Sequence, residues 1–372
     1  MVYKDLHNKP FDSGTISKLE IFEDYAQAWI PTFVMQSAPE IHIFDFFAGP
    51  GYDSLNIEGS PIRLLQKIIE QLGNILVKKT KVVLHFNEYE PNKKDQNKFE
   101  SLKLNCNRFI EQNPKFKYFL NVIYYNANAE DLFFKLLPII NKYPSLVYLD
   151  QNGVKFISKD YVDELDKLQT TDFLYFVSSS YFKRLGSTEG FKKILDFDNA
   201  ELEKEQYRNI HRQVINKIKS NLQPCSKLKL FPFSIKKGPN IYGIVFGTKN
   251  YAAVDKFLAI AWKRNCLNGE ADFDIDEDNH KDQLDLFEGK KMTKIQKFQS
   301  DIKSKLLDGT INSNRSALLF TYDNGHIPQH SVIVIKSLKS SGILYYDGKT
   351  PALNYDNVFR QRNIISYKLN HN

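Results

Sequence analysis

The sequence predicts an α/β chain: a Rossmann-like doubly wound sheet followed by a C-terminal winged helix-turn-helix domain. Two observations predict the sheet. Short runs rich in β-branched and aromatic residues alternate with stretches of helical period from Glu40 to Ser180. The connections are short, so successive strands run parallel and their helices cover both faces. The third observation is a change of pattern. Past Asn268 an acidic run gives way to three helices and two short strands.

The elements follow in order. "SKLEIFEDYAQAWIPTFVMQ", Ser17 to Gln36, spaces Leu19, Ile21, Phe22, Tyr25, Ala28 and Trp29 as one helix face, with Ser17 and Glu20 as a capping box. "EIHIFDFFAGPG" reads as a strand ending in a tight turn. "PIRLLQKIIEQL" is helix, "KVVLHFNEYE" strand, "KKDQNKFESLKLNCNRFIEQ" helix and "FLNVIYYNAN" strand. "EDLFFKLLPIINKY", "SLVYLDQNG", "KDYVDELDKLQ" and "DFLYFVSSS" continue the alternation. A helical region near 189–221 leads to "KLKLFPF" and "IYGIVFGTK", an antiparallel pair at the far edge. Domain 1 thus covers 1–267, an acidic linker 268–291 and the winged helix 292–372. The linker's Asp-x-Asp-x-Asp start is no calcium loop, because Glu277 stands where Gly is needed and Gln283 where the bidentate Glu belongs.

Composition narrows the class. A net charge of +7 permits an anionic partner without requiring one. Cys106, Cys225 and Cys266 are too scattered for a disulfide framework or a Cys-rich metal site, which fits a reducing cytoplasm. The N-terminal stretch lacks the apolar core of a signal peptide, and no apolar run reaches the length of a membrane helix.

The turn after the first strand carries the chemistry. Ala48-Gly49-Pro50-Gly51 lets the backbone pass close to a ligand. In such sheets ligands sit beyond the carboxyl ends of the strands, and an acidic residue ending the second strand can grip a ribose. Glu88 is placed for that, with Glu90 as competitor. The glycines match neither the dinucleotide fingerprint nor a P-loop. The pattern Asp-x-Phe-Ala-Gly-x-Gly is instead similar to the one methyltransferases use for S-adenosylmethionine, which makes the expected sheet methyltransferase-type. The cofactor-binding candidates are Asp45, Phe46, Ala48, Gly49, Gly51, Ser60, Glu88 and Asn128. Asn128 has two readings, an adenine contact or the N-cap of the following helix. The fourth strand ends at Asp150, the first catalytic candidate, with Asn152 beside it. The prolines of the base-amino methyltransferase motif and the Pro-Cys of cytosine-C5 enzymes are both missing.

Taken together, these stretches resemble the three-Cys-motif partner family, TcmP. The resemblance rests on Tyr25 and Trp29 before the first strand, "DFFAGPG", "EGSP" from Glu58 to Pro61, Glu88, Asp150 with Gly153, and Arg184 after "FLYFVSSSYFKRL". Where members read Asp-Pro-Phe-Gly this chain has Asp-Gln-Asn-Gly, and many have Asp in place of Asn128. The resemblance implies S-adenosylmethionine as cofactor, a separate three-Cys-motif chain resembling radical-SAM enzymes as partner, and a defence or mobile-element setting that points to nucleic acid.

In the tail, the helix from Gln329 to Ser340 is the expected recognition helix. His330, Lys336 and Lys339 are placed for phosphates, and Gln329 and Ser331 for base edges. His326 and His330 lack a third metal ligand, so no metal is expected. The leading function is methyl transfer to nucleic acid, DNA or RNA. The alternative is a non-catalytic adaptor for nucleic acid or a partner enzyme, with a relic cofactor pocket.

Overall fold

The structure, a computed structural model, describes residues 10–91, 97–151, 156, 158–178, 206–238, 240–281 and 291–370. The chain divides into two compact units, 1–249 and 250–372.

The first unit is built on a sheet of seven strands: β1 (Glu40–Asp45), β2 (Lys81–Asn87), β3 (Leu120–Tyr125), β4 (Ser145–Leu149), β5 (Thr171–Ser178), β6 (Lys229–Lys237) and β7 (Asn240–Thr248). Their order is β3-β2-β1-β4-β5-β7-β6. The first five run parallel, and β7 lies antiparallel between β5 and β6. The expected antiparallel pair is therefore present at the far edge, with the later strand inserted. The direction of winding reverses between β1 and β4, where Asp45 stands opposite Tyr148. That reversal opens the crevice in which doubly wound sheets take ligands.

Among the described residues seven α-helices belong to this unit: α1 (Ser13–Met35), α2 (Ser60–Glu70), α3 (Leu72–Lys78), α4 (Lys98–Glu111), α5 (Ala129–Lys142), α6 (Lys159–Lys167) and α7 (Ile210–Asn221). One face of the sheet packs Phe44, Val147, Leu149 and Phe173 against Phe133, Leu165 and Val214 from α5, α6 and α7. The other face takes α1. Phe22 stacks on Tyr148 at 3.9 Å, and the Tyr25 phenol donates to Asp172 at 2.7 Å. Tyr25 and Trp29 are thus fully buried members of the core. The helix begins earlier than its spacing suggests, because Asp12 rather than Ser17 is the N-cap and accepts the Thr15 N–H.

The second unit opens with α8 (Tyr251–Arg264). Residues 268–281, expected as a solvated linker, are folded. Asn268 is fully buried and accepts the N–H groups of Glu270 and Ala271, while Ala271 and Ile275 are buried beside it. Local amide-to-backbone bonds thus override the acidic composition. Residues 282–290 lie outside the described residues. Three helices follow, α9 (Lys294–Leu307), α10 (Asn314–Asp323) and α11 (Pro328–Ser340), the first two opened by capping boxes at Thr293 and Ser313. A two-stranded ribbon joins β8 (Leu344–Tyr345) to β9 (Lys368–Leu369). The expected second strand directly after Asp347-Gly348 is absent. Pro351 lacks an amide donor and Ala352 has φ 46°, so that stretch cannot extend.

Candidate active site at the ends of the parallel strands

Asp45 ends β1 and is 1% exposed. Its Oδ1 accepts the Phe47 N–H at 3.1 Å and its Oδ2 the Ser60 hydroxyl at 2.5 Å. Ser60 reaches it because the loop between them is folded by Asp53. That carboxylate accepts the N–H groups of Leu55 and Ile57 at 2.8 Å each and of Phe11 at 2.7 Å. The loop returns so closely that Gly59 donates to the Gly51 carbonyl at 2.8 Å, and a Cβ on Gly59 would lie 3.2 Å from that oxygen. Gly49 and Gly51 have φ of 67° and 94°, the left-handed region where glycine is at ease.

Glu88, just past β2, is also buried, and its Oε2 accepts the Gly49 N–H at 2.9 Å. The strand end is fastened by Asn87, which the sequence analysis missed. Its amide donates to the carbonyls of Phe46 and Ala127 and accepts the Ala127 N–H, each at 3.1 Å. Glu90 instead receives the N–H groups of Lys98 and Phe99 at the start of α4. The structure therefore separates the two acids: Glu88 faces the glycine turn and Glu90 caps a helix. Ala48 is buried, with its N–H on the Asn87 carbonyl at 2.9 Å.

Two cofactor-binding candidates are placed differently from expectation. The Phe46 side chain turns into the core against Phe133 and Phe156, because alternation along the strand sends it to the face opposite Asp45. Asn128 caps α5, its side-chain oxygen accepting the Glu130 and Asp131 N–H groups. Of its two readings, the cap is the one seen.

Asp150 lies just past β4. Its Oδ2 accepts the Lys18 ammonium from α1. Lys18 is 7% exposed and its Nζ also lies 4.5 Å from the centre of the Phe176 ring. The sequence reading missed this lysine, although it falls on the buried face with Gly14, Leu19, Phe22 and Tyr25. A lysine in an apolar helical stripe was the available signal. Gln151 folds back, its Oε1 accepting the Phe156 N–H at 3.1 Å. Asn152, Gly153 and Arg184 lie outside the described residues.

The carboxylates affect one another. Burial first, then the nearby Asp150 and Glu88 charges, push Asp45 up to about 7 against the lowering effect of its Ser60 and Phe47 bonds. Burial and the charges of Asp150 and Asp45 raise the Tyr148 phenol well above its ordinary value. Asp45 can therefore hold a proton near neutrality.

In the second unit the five nucleic-acid candidates part company. Gln329 and Lys336 are exposed. His330 and Ser331 are buried in the helical core, with the Ser331 hydroxyl 2.6 Å from that of Thr321 and His330 Nδ1 2.9 Å from His326 Nδ1. Helical periodicity turns these two inward, so neither can face a polyanion. Burial, reinforced by Lys294, lowers the two imidazoles to about 2 for His326 and about 4 for His330. Lys339 donates at 2.8 Å to the carbonyls of Tyr346 and Gly348. Ile333, 60% exposed, completes the outer face of α11. Among the described residues no three His, Cys, Asp or Glu side chains gather closely enough to hold a metal, and no helix is long and apolar enough to cross a membrane.

No family model and no curated protein matches the chain. Among solved structures it is similar to Trm1 from Pyrococcus horikoshii in complex with S-adenosyl-L-methionine, at 10% identity and a TM-score of 0.37 over 67% of this chain and 59% of that one. It is also similar to the O-methyltransferase TomG from Streptomyces achromogenes in complex with SAM, at 12% identity and 0.32 over 64% and 90%. The METTL16 methyltransferase domain gives 9% identity and 0.29 over 63% and 84%. The chain thus spans less than two thirds of Trm1. Likeness this distant decides neither cofactor nor substrate, which rest on the site itself.

Proposed function

We propose that the chain is an S-adenosylmethionine-dependent methyltransferase acting on nucleic acid. The observation that carries this reading is the gathering of Asp45, Ser60, Glu88 and Asp150 around a two-glycine turn at the winding reversal of the sheet. The donor set fits the group. Acceptor-only carboxylates suit a ligand with a sulfonium, an ammonium and a ribose diol. Asp45 and Ser60 would serve the amino-acid end and Glu88 the ribose, with Gly49 and Gly51 leaving room for the backbone to approach. When bound, the cofactor supplies an electrophilic methyl group. Transfer to a nucleophilic nitrogen chiefly needs positioning and exclusion of water. With Oδ2 of Asp150 held by Lys18, its Oδ1 would accept an N–H of the acceptor.

Nucleic acid is supported by the second unit. Residues 292–372 hold eleven Lys and Arg against five Asp and no Glu. We read α9, α10 and α11 with the β8–β9 ribbon as a winged helix-turn-helix. Gln329, Ile333 and Lys336 form the outward face of α11, a donor–acceptor, an apolar group and a cation of the kinds that read base edges and phosphates. The resemblance to the three-Cys-motif partner family adds a separate partner chain and a defence or mobile-element setting to the proposal.

The test is isothermal titration of the full chain with S-adenosylhomocysteine beside an Asp45→Ala control. Micromolar binding that the control loses is expected and justifies a search for methylated nucleic acid. Absence of binding at millimolar ligand overturns the cofactor reading and leaves the adaptor.

A further inference from the structure

Among the described residues Asp45 is buried with no cationic partner: a hydroxyl and an amide hold it, while Lys18 pairs with the neighbouring Asp150. Uncompensated buried charge is costly and calls for a partner. A second observation is independent of this. The Tyr148 hydroxyl, on a residue 1% exposed, has no hydrogen-bond partner among the described residues, although a buried hydroxyl normally finds one. Tyr148 alternates onto the same face as Asp150 and stands opposite Asp45, and the charges of both carboxylates act on its phenol. An unsatisfied donor, an ammonium with one oxygen partner and a buried carboxylate with no cation therefore meet, among the described residues, at one place.

We propose that Lys18 and Tyr148 make this site selective for a ligand bearing an intact α-amino-acid end. Lys18 and the Tyr148 hydroxyl take its carboxylate, and Asp45 takes its ammonium. This rests on the cofactor reading above and adds two specificity residues to it. Lys18 has three N–H donors, so it can hold the ligand carboxylate while keeping Asp150. The ammonium of a zwitterion gives Asp45 its cation, and its carboxylate falls to Lys18 and the phenol, so each charge meets an opposite one. A nucleoside lacking the amino-acid end would leave that hydroxyl unpaired and Asp45 unmatched.

The test compares S-adenosylhomocysteine with 5′-methylthioadenosine, which keeps the nucleoside and thioether but lacks the amino acid. Both are titrated calorimetrically into the full chain. The wild type should prefer S-adenosylhomocysteine by about a hundredfold or more, the scale of two charge-assisted contacts. Lys18→Met should weaken S-adenosylhomocysteine about ten- to hundredfold and leave methylthioadenosine unchanged, with Lys18→Arg restoring part of the loss. Tyr148→Phe keeps the ring stack on Phe22, so it should fold, and should weaken S-adenosylhomocysteine severalfold. Equal affinity of the wild type for both ligands overturns this proposal while leaving the cofactor reading in place. Parallel loss of both ligands in Lys18→Met, with a lowered melting temperature, and no effect of Tyr148→Phe, makes Lys18 structural and overturns it too. Binding of neither ligand by the wild type overturns the cofactor reading itself.

Discussion

Two buried polar clusters lie on opposite faces of one sheet, and they are built on opposite principles. On the face covered by α5, Glu40, His42, His85 and Tyr125 form a chain across β1, β2 and β3, with links of 3.0, 2.9 and 2.9 Å. Both nitrogens of each imidazole have partners, and the rings stack on Phe44 and Tyr143. On the face covered by α1, Asp45, Tyr148 and Asp150 leave a hydroxyl unpaired among the described residues and a carboxylate pushed up to about 7. A network satisfied by its own members fixes strand register and resists change. A network left short of partners costs stability, as sites kept for function commonly do.

The sharpest way to break the comparison is Asp45→Asn. It should weaken S-adenosylhomocysteine more than a hundredfold, because it removes the charge that meets a cation. It should also stabilise the chain. The folded-state value of about 7 lies above the ordinary 3.8, so the folded state holds the proton more tightly, and wild-type stability falls as pH rises from about 4 to about 7. The variant escapes that loss. It should match the wild type near pH 4 and exceed it above pH 7 by up to about 4 kcal/mol. Urea melts across pH check this, and a variant less stable than the wild type at pH 8 would contradict it. The same titration sets the ligand's pH dependence: affinity for a cationic ligand should rise with pH through 7 and level off once Asp45 is ionised, and calorimetry should record proton release.

The opposite face should answer in the opposite sense. His85→Ala leaves His42 and the Tyr125 hydroxyl without their partner and opens a void, costing about 2–4 kcal/mol while leaving ligand affinity within twofold. Burial, then the neighbouring His42, lowers His85 to about 3 from 6.5. The wild type therefore loses stability as pH falls below 6.5, and the variant should lose less over the same range. A fall in ligand affinity in His85→Ala would end the distinction between the two faces.

How far the sequence showed this depends on what each feature rests on. Strand and helix alternation from Glu40 to Ser178 was legible because each element buries an apolar face of its own period. The turn at Gly49 and Gly51 and the acidic strand ends at Asp45 and Glu88 were legible because each carries a local mark. Lys18 was not, because its partner Asp150 lies 132 residues away, and a place in the apolar stripe of α1 does not name that partner. Asn87 was hidden for the same reason, since it reads as one polar residue at a strand end but fastens carbonyls on two neighbouring connections. Residues 268–281 were misjudged because composition counts charges, whereas Asn265 and Asn268 fold the segment by bonding its backbone.

The smallest effect separates the outward face of α11 from its inward one. Lys336 is exposed, whereas Lys339 is tied to the carbonyls of Tyr346 and Gly348 and lies over the Tyr346 ring at 3.8 Å. If α11 meets nucleic acid, Lys336→Ala should weaken binding severalfold and reduce the slope of log affinity against log salt by about 1. Lys339→Ala should instead loosen the turn after β8 and lower the melting temperature, with a smaller change in slope. Fluorescence anisotropy with labelled duplex DNA and duplex RNA, each across a salt series, reads both effects. A helix that enters a major groove should prefer DNA, since the deep, narrow groove of duplex RNA excludes it. Equal slopes for Lys336→Ala and the wild type would remove α11 from the interface, and with it the reading of the second unit as the nucleic-acid module.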